Sequence, residues 1–63
     1  MKTLIIRDWR TGKVVARKKL TKVSGSISWA TMDNILIIRN YHTYHELQRV
    51  DLSKYGSITF TIE

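Results

Sequence analysis

Cysteine and proline are both missing from this 63-residue chain, and glycine occurs three times. Without cysteine, no disulfide and no thiolate metal site can hold the fold together. Without proline, one of the usual guards of an exposed strand edge is gone. Acidic residues are also scarce, five against eleven lysines and arginines. No stretch approaches the roughly 20 apolar residues of a membrane-spanning helix. The opening MKTLIIRDW carries a short apolar run that Arg7 and Asp8 interrupt before the h-region of a secretory signal can form. These absences lead to the expectation of a soluble protein, cytoplasmic or otherwise intracellular, with no membrane partner. A single domain over residues 1–63 is all this length allows, and domains near this size bury only about 60% of their extended-chain surface. Stability then has to come from packing, sheet closure or self-association.

The chain repeats itself. Residues 3–10 read TLIIRDWR and residues 35–42 read ILIIRNYH; residues 25–31 read GSISWAT and residues 56–62 read GSITFTI, one residue out of register with the first echo. Between these blocks, Arg17 and Leu20 fall opposite Arg49 and Leu52 without a gap. The copies span approximately 3–31 and 35–62. Solenoids stack more units than two, and a propeller needs at least four blades. Two copies packed about a local twofold axis are the economical arrangement.

Within each copy the apolar residues alternate. In residues 2–9, Leu4 and Ile6 point one way while Ile5, Arg7 and Trp9 point the other, a period-two pattern rich in β-branched residues. Asp8 and Gly12 suit a bulged hairpin turn, the first by accepting turn hydrogen bonds and the second by adopting positive φ. Residues 13–20 return with Val14, Ala16 and Leu20 on one face and Lys13, Val15, Arg17 and Lys19 on the other. Residues 26–31 make a third strand with Ile27 and Trp29 inward, and Met32, Asp33 and Asn34 link the copies. The second copy runs through 35–41, a middle segment near 47–52, and 57–62, with Leu36, Ile38, Leu52, Ile58, Phe60 and Ile62 in its core. Thr43 and Glu46 form a capping-box pair and Gly56 could stop a helix, so a short helix near 44–55 competes with a strand there. The internal match favours a strand followed by a short turn. The fold expected is all-β: an internally duplicated small antiparallel domain whose two three-stranded meanders form a six-stranded barrel or curled sheet. Trp29 and Phe60 hold matching positions and are read as twofold-related core fillers. Ile5, Val15 and Ile37 fall on the outer face, where a loop, the other copy or a second protomer would have to cover them, and the last of these makes the protein a homodimer.

Charge is less symmetric than shape. Residues 1–31 hold eight lysines and arginines and one aspartate, a balance of +7; residues 32–63 hold three against four acids, a balance of −1. A field of that sign attracts phosphate backbones without selecting sequence. The candidate binding residues are Arg7, Trp9, Arg10, Lys13, Arg17 and Lys19, with Arg39 and Tyr41 repeating the Arg-x-aromatic spacing in the second copy. Trp9 would stack on a base while the cations hold the backbone, as in other single-strand binders. The expected partner is DNA or RNA, which would make the protein a regulatory or packaging factor associated with nucleic acid. An acidic protein, inhibited or regulated through the same cationic face, and a structural dimerisation module are the competing readings. The same exterior cations also serve simply to keep a small sheet soluble.

Support for catalysis is thin. His42, His45 and Glu46 could ligate a metal only if the chain bends suitably. Asp33, Asp51 and Glu63 have no spacing that brackets a reacting group, and Ser24, Ser26 and Ser28 lack a base-orienting arrangement. No glycine loop that cradles phosphate, zinc-finger spacing or EF-hand loop occurs. No enzyme activity, cofactor or metal is expected.

Overall fold

In the computed structural model, which describes residues 2–63, six strands account for most of the chain. They are β1 (Lys2–Asp8), β2 (Val14–Leu20), β3 (Ile27–Met32), β4 (Ile35–Asn40), β5 (Glu46–Asp51) and β6 (Ile58–Ile62). The only helical element described is a 3-10 turn at Ser53–Tyr55, so the segment near 44–55 is a strand and a short turn. The fold is all-β. Every ladder is antiparallel, and the strands form two three-stranded sheets with orders β2-β1-β6 and β3-β4-β5. No ladder joins the two sheets, so the expected barrel does not close.

The sheets also divide the copies differently from two self-contained meanders. β3 and β4 are joined only by Asp33 and Asn34, whose φ values of 52° and 65° are both in the left-handed region. A two-residue loop with that pair of angles is a type I′ hairpin turn and obliges the flanking strands to pair. The third strand of the first copy therefore pairs with the second copy, Met32 opposite Ile35 and Ile27 opposite Asn40. Reciprocally, β6 pairs with β1, Leu4 opposite Ile62 and Asp8 opposite Ile58. Each copy gives its last strand to the other's sheet.

Both sheets turn one face to a single core. Leu4 and Ile6 of β1, Leu20 of β2, Leu36 and Ile38 of β4 and Val50 of β5 are buried together with Val23 of the β2–β3 linker. Val23 and Tyr55 occupy corresponding places after β2 and β5. The Val23 amide donates to the Leu20 carbonyl (3.1 Å) and the Tyr55 amide to the Leu52 carbonyl (3.2 Å), so each linker folds back and brings its apolar side chain against the core. Trp29 faces inward with Ile38 but is 54% exposed, because β3 lies at the border of its sheet. It meets Phe60 edge-on, ring centres 4.8 Å apart at 73°, so β3 and β6 lie over one another along one side of the sandwich. Trp29 is therefore a border residue and not the core filler its parity implied. Val14, expected inward, is likewise exposed.

The duplication is most complete at the turns after β1 and β4. The Asp8 carboxylate accepts the amides of Arg10 (2.8 Å) and Thr11 (3.0 Å), and the Asn40 side-chain oxygen accepts those of His42 (2.8 Å) and Thr43 (3.0 Å). Thr11 and Thr43 in turn accept the amides of Lys13 and His45. Next comes a residue at positive φ, Gly12 at 74° and Tyr44 at 62°. Each following strand carries a bulge at the same place: Arg7 pairs with Val14 after Ile6 pairs with Ala16, and Arg39 with Glu46 after Ile38 with Gln48. One extra residue, Val15 or Leu47, is inserted on the returning strand.

Candidate nucleic-acid interface

Because the inner faces share one core, the outer faces look away from each other. On the β2-β1-β6 sheet, Ile5 sits at the centre of the outer face with Arg17 across from it on β2 and Thr61 on β6. Lys19 pairs with Thr3, and Arg7 follows Ile5 along β1 and donates to the Thr61 hydroxyl at 3.4 Å. Arg7, Arg17 and Lys19 thus share one face, as strand parity predicts. Ile5, which parity also puts there, is only 4% exposed. The single chain therefore already hides it, a task to which the aliphatic stem of an arginine across the strand is well suited. Ile37, at the equivalent place on β4, is also 4% exposed. Neither residue needs a second protomer to hide it.

The β3-β4-β5 sheet is an internal control for this surface. Arg39 stands where Arg7 does, Arg49 where Arg17 does, and Asp51 where Lys19 does, while Glu46 replaces Val14. Arg49 Nε donates to Glu46 Oε2 at 2.8 Å, the one salt bridge among the described residues. That hydrogen bond, with a smaller contribution from the charge of Arg39, holds the Glu46 carboxyl below its usual range. Asp51 accepts from the amide and hydroxyl of Ser53 and is also held low, the hydroxyl contributing most. Two scaffolds with one backbone design therefore differ in charge balance: the outer face of the first sets Arg7, Arg17 and Lys19 against Glu63, which pairs with Thr3, and that of the second sets Arg39 and Arg49 against Glu46 and Asp51. The second sheet balances its cations and the first keeps a positive excess, which means the fold itself does not require Arg17 and Lys19 to stand outside any salt bridge.

The remaining candidates are scattered. Arg10 and Lys13 lie in the exposed β1–β2 turn, at the end of the same sheet. Trp9 lies one residue past β1, where its amide donates to the Ser57 carbonyl at 3.3 Å. It is 63% exposed and lines a groove of about 580 Å³ together with Met32, Asp33, Leu52, Ile58 and Phe60. Past the strand end, alternation no longer governs its direction. Arg39 belongs to the opposite outer face, and Tyr41, whose amide donates to the Ser26 carbonyl at 3.0 Å, follows the end of β4. Tyr41 packs edge-on against His42, ring centres 5.4 Å apart. The structure brings Arg7, Arg17 and Lys19 together, with Arg10 and Lys13 at one end. The two Arg-x-aromatic pairs, Arg7 with Trp9 and Arg39 with Tyr41, belong to different sheets.

No protein-family model matches the chain, and no curated protein or solved structure matches it.

Among the described residues no group of three or more His, Asp or Glu side chains is placed to hold a metal. No helix among them is long and apolar enough to cross a membrane. What the outer face of β2-β1-β6 offers is an array of guanidinium and ammonium donors around the covered Ile5. Guanidinium forks match phosphate oxygens in geometry, and an ammonium serves as a point charge beside them. Leu52, expected in the core, packs against it and also lines the groove, whereas Met32 and Asp33, expected only to link the copies, line it because the Asp33-Asn34 hairpin turn sets them there.

Proposed function

We propose that the protein binds DNA or RNA through the outer face of the β2-β1-β6 sheet, with Arg7, Arg17 and Lys19 contacting backbone phosphates and Arg10 and Lys13 extending the contact beyond the strand ends. The observation that carries this reading is the charge difference between two sheets of one design. Where the second sheet places Glu46 and Asp51, the first has Val14 and Lys19; Glu63, the acid on this face, accepts from the Thr61 hydroxyl, and Arg17 and Lys19 make no salt bridge among the described residues. Such a surface gains affinity from release of condensed counterions, so binding weakens steeply with salt and discriminates little among sequences. Among the described residues no α-helix is available to read a major groove, and the short β-strands present few Asn or Gln side chains for base edges.

Trp9 has a smaller role in this reading than its sequence position implied, since it lines the groove beside Phe60. Stacking on a base is worth about 1–3 kcal/mol in single-strand binders. Trp9→Ala should therefore change single-strand affinity by less than that range while leaving duplex affinity as it is.

The experiment is a fluorescence-anisotropy titration of nuclease-treated protein into labelled single-stranded DNA, duplex DNA and RNA at low and physiological salt. Saturable binding of all three, lost when Arg17 and Lys19 are both replaced, supports the proposal. Binding no tighter than that of an unrelated cationic protein, together with stoichiometric capture of an acidic protein, would replace it with a protein-regulator role.

A further inference from the structure

The four border strands are not protected alike. β2 reads VVARKKL and β5 reads ELQRVD, so both carry the charges that discourage edge-to-edge pairing. β3 reads ISWATM and β6 reads ITFTI, with no charge and no proline in either. These two bare strands lie on the same side of the sandwich, where Trp29 meets Phe60.

The backbone at β3 is open as well as bare. The Tyr41 amide donates to the Ser26 carbonyl, which fixes the alternation along the β3–β4 ladder. Ser28, Ala30 and Met32 then exchange bonds with β4, and the amides and carbonyls of Ile27, Trp29 and Thr31 point away from the sheet. Trp29 and Met32 are both exposed apolar side chains on this border. β6 has the same alternation, set by the reciprocal bonds between Thr3 and Glu63 at 2.8 Å, but it borders the sheet whose outer face carries Arg7, Arg17 and Lys19. A second chain of net charge +6 would meet that face's field at β6. At β3 it meets a sheet whose cations are balanced by Glu46 and Asp51.

We infer that β3 is a self-association edge, pairing antiparallel with β3 of a second copy about a twofold axis so that β3-β4-β5 becomes part of one continuous six-stranded sheet. The occupant is a second copy and not a foreign acidic strand, because no cation on this edge would select acid and because a chargeless strand is self-complementary under a twofold. Antiparallel pairing satisfies the open groups of Ile27, Trp29 and Thr31 and covers part of Trp29. The cationic outer face of β2-β1-β6 lies on the other layer and stays open in the dimer, so this inference stands or falls independently of nucleic-acid binding.

The test combines sedimentation equilibrium with amide hydrogen exchange on the full chain without nucleic acid. With rising concentration the mass should climb from 7.4 kDa towards twice that value, and the amides of Ile27, Trp29 and Thr31 should gain protection while those of Ile58, Phe60 and Ile62 do not. Thr31→Pro, which removes one outward amide, and Ala30→Lys, which sets like charges against each other across the axis while keeping every amide, should both abolish the rise in mass. If Thr31→Pro fails to fold, Ala30→Lys alone decides. A mass of 7.4 kDa at every concentration, a dimer whose β3 amides stay unprotected, or a dimer indifferent to Ala30→Lys would overturn the inference.

Discussion

Replacing Tyr44 by glycine should stabilise the protein. Tyr44 holds φ at 62° in a turn whose twofold counterpart is Gly12 at 74°, and each amide donates to the residue four before it at 2.9 Å, Tyr44 to Asn40 and Gly12 to Asp8. An L-residue in the left-handed region costs roughly 1–2 kcal/mol from contact between its Cβ and the backbone. Glycine gives back about 0.5–1 kcal/mol through the greater freedom it loses on folding. Tyr44 is 70% exposed, so little packing is lost with its ring. The net gain spans about 0–1.5 kcal/mol and centres near 0.75 kcal/mol, which in a domain of this size raises Tm by roughly 3–6 °C. The reverse change provides the control. A Cβ at Gly12 would meet nothing within 4 Å, so Gly12→Tyr should lower stability by a similar amount through the backbone alone. Thermal melts and urea titrations followed by far-UV circular dichroism, with an unchanged m-value, measure both. A Tyr44→Gly variant less stable than the parent, or a neutral Gly12→Tyr, would refute the equivalence of the two turns.

Asp8 and Asn40 perform one task with different chemistry. Amide donation from Thr11, then Arg10, keeps the Asp8 carboxyl below the ordinary aspartate range. A depressed folded-state value means that the stabilisation is present above the unfolded pKa and is lost as pH falls through the folded one. Asp8→Asn keeps the acceptor and removes the proton, so the fall in Tm below about pH 4 should be shallower in that variant. Leu4→Ala and Leu36→Ala, fully buried mates, should each cost about 2–5 kcal/mol. Trp29→Ala should cost only about 2 kcal/mol, since half its surface is already in water and the edge-on pair with Phe60 adds roughly 0.5–1.5 kcal/mol; denaturant midpoints rank the three. Converting the second sheet to the pattern of the first, with Glu46→Val and Asp51→Lys, should raise duplex affinity and steepen its salt dependence, whereas an unchanged slope would show that the outer-face pattern is not what binds.

Strand positions and their facing were readable because alternation and β-branched residues agree with each other along β1 and β4. The turns were readable too, since Asp8 and Asn40 stand 32 positions apart, each three residues before a threonine. The exchange of third strands was missed. It depends on Asp33 and Asn34, two residues able to adopt positive φ, which fix a tight hairpin between the copies where a plain linker had been expected. Parity gave Trp29 its direction but not its depth, because an inward side chain on a border strand has a neighbour on only one side. Val23 was missed for another reason: it lies in a linker, where no periodicity marks it. The charge asymmetry was plain in the sequence. Its division between opposite outer faces required the two-sheet arrangement, which separates Arg39 from Arg7 and sets Glu46 opposite Arg39.

The central claim is that the excess of cations on one sheet, and not the protein's overall charge, holds a phosphate backbone. Arg17→Ala and Arg49→Ala remove the same charge from equivalent places on the two sheets, so the deciding measurement is the slope of log affinity against log salt for duplex DNA in these two variants. Loss of one phosphate contact lowers the slope by about 0.9. The account predicts that drop for Arg17→Ala and an unchanged slope for Arg49→Ala; equal effects in both, or no saturable binding by the parent protein, would contradict it.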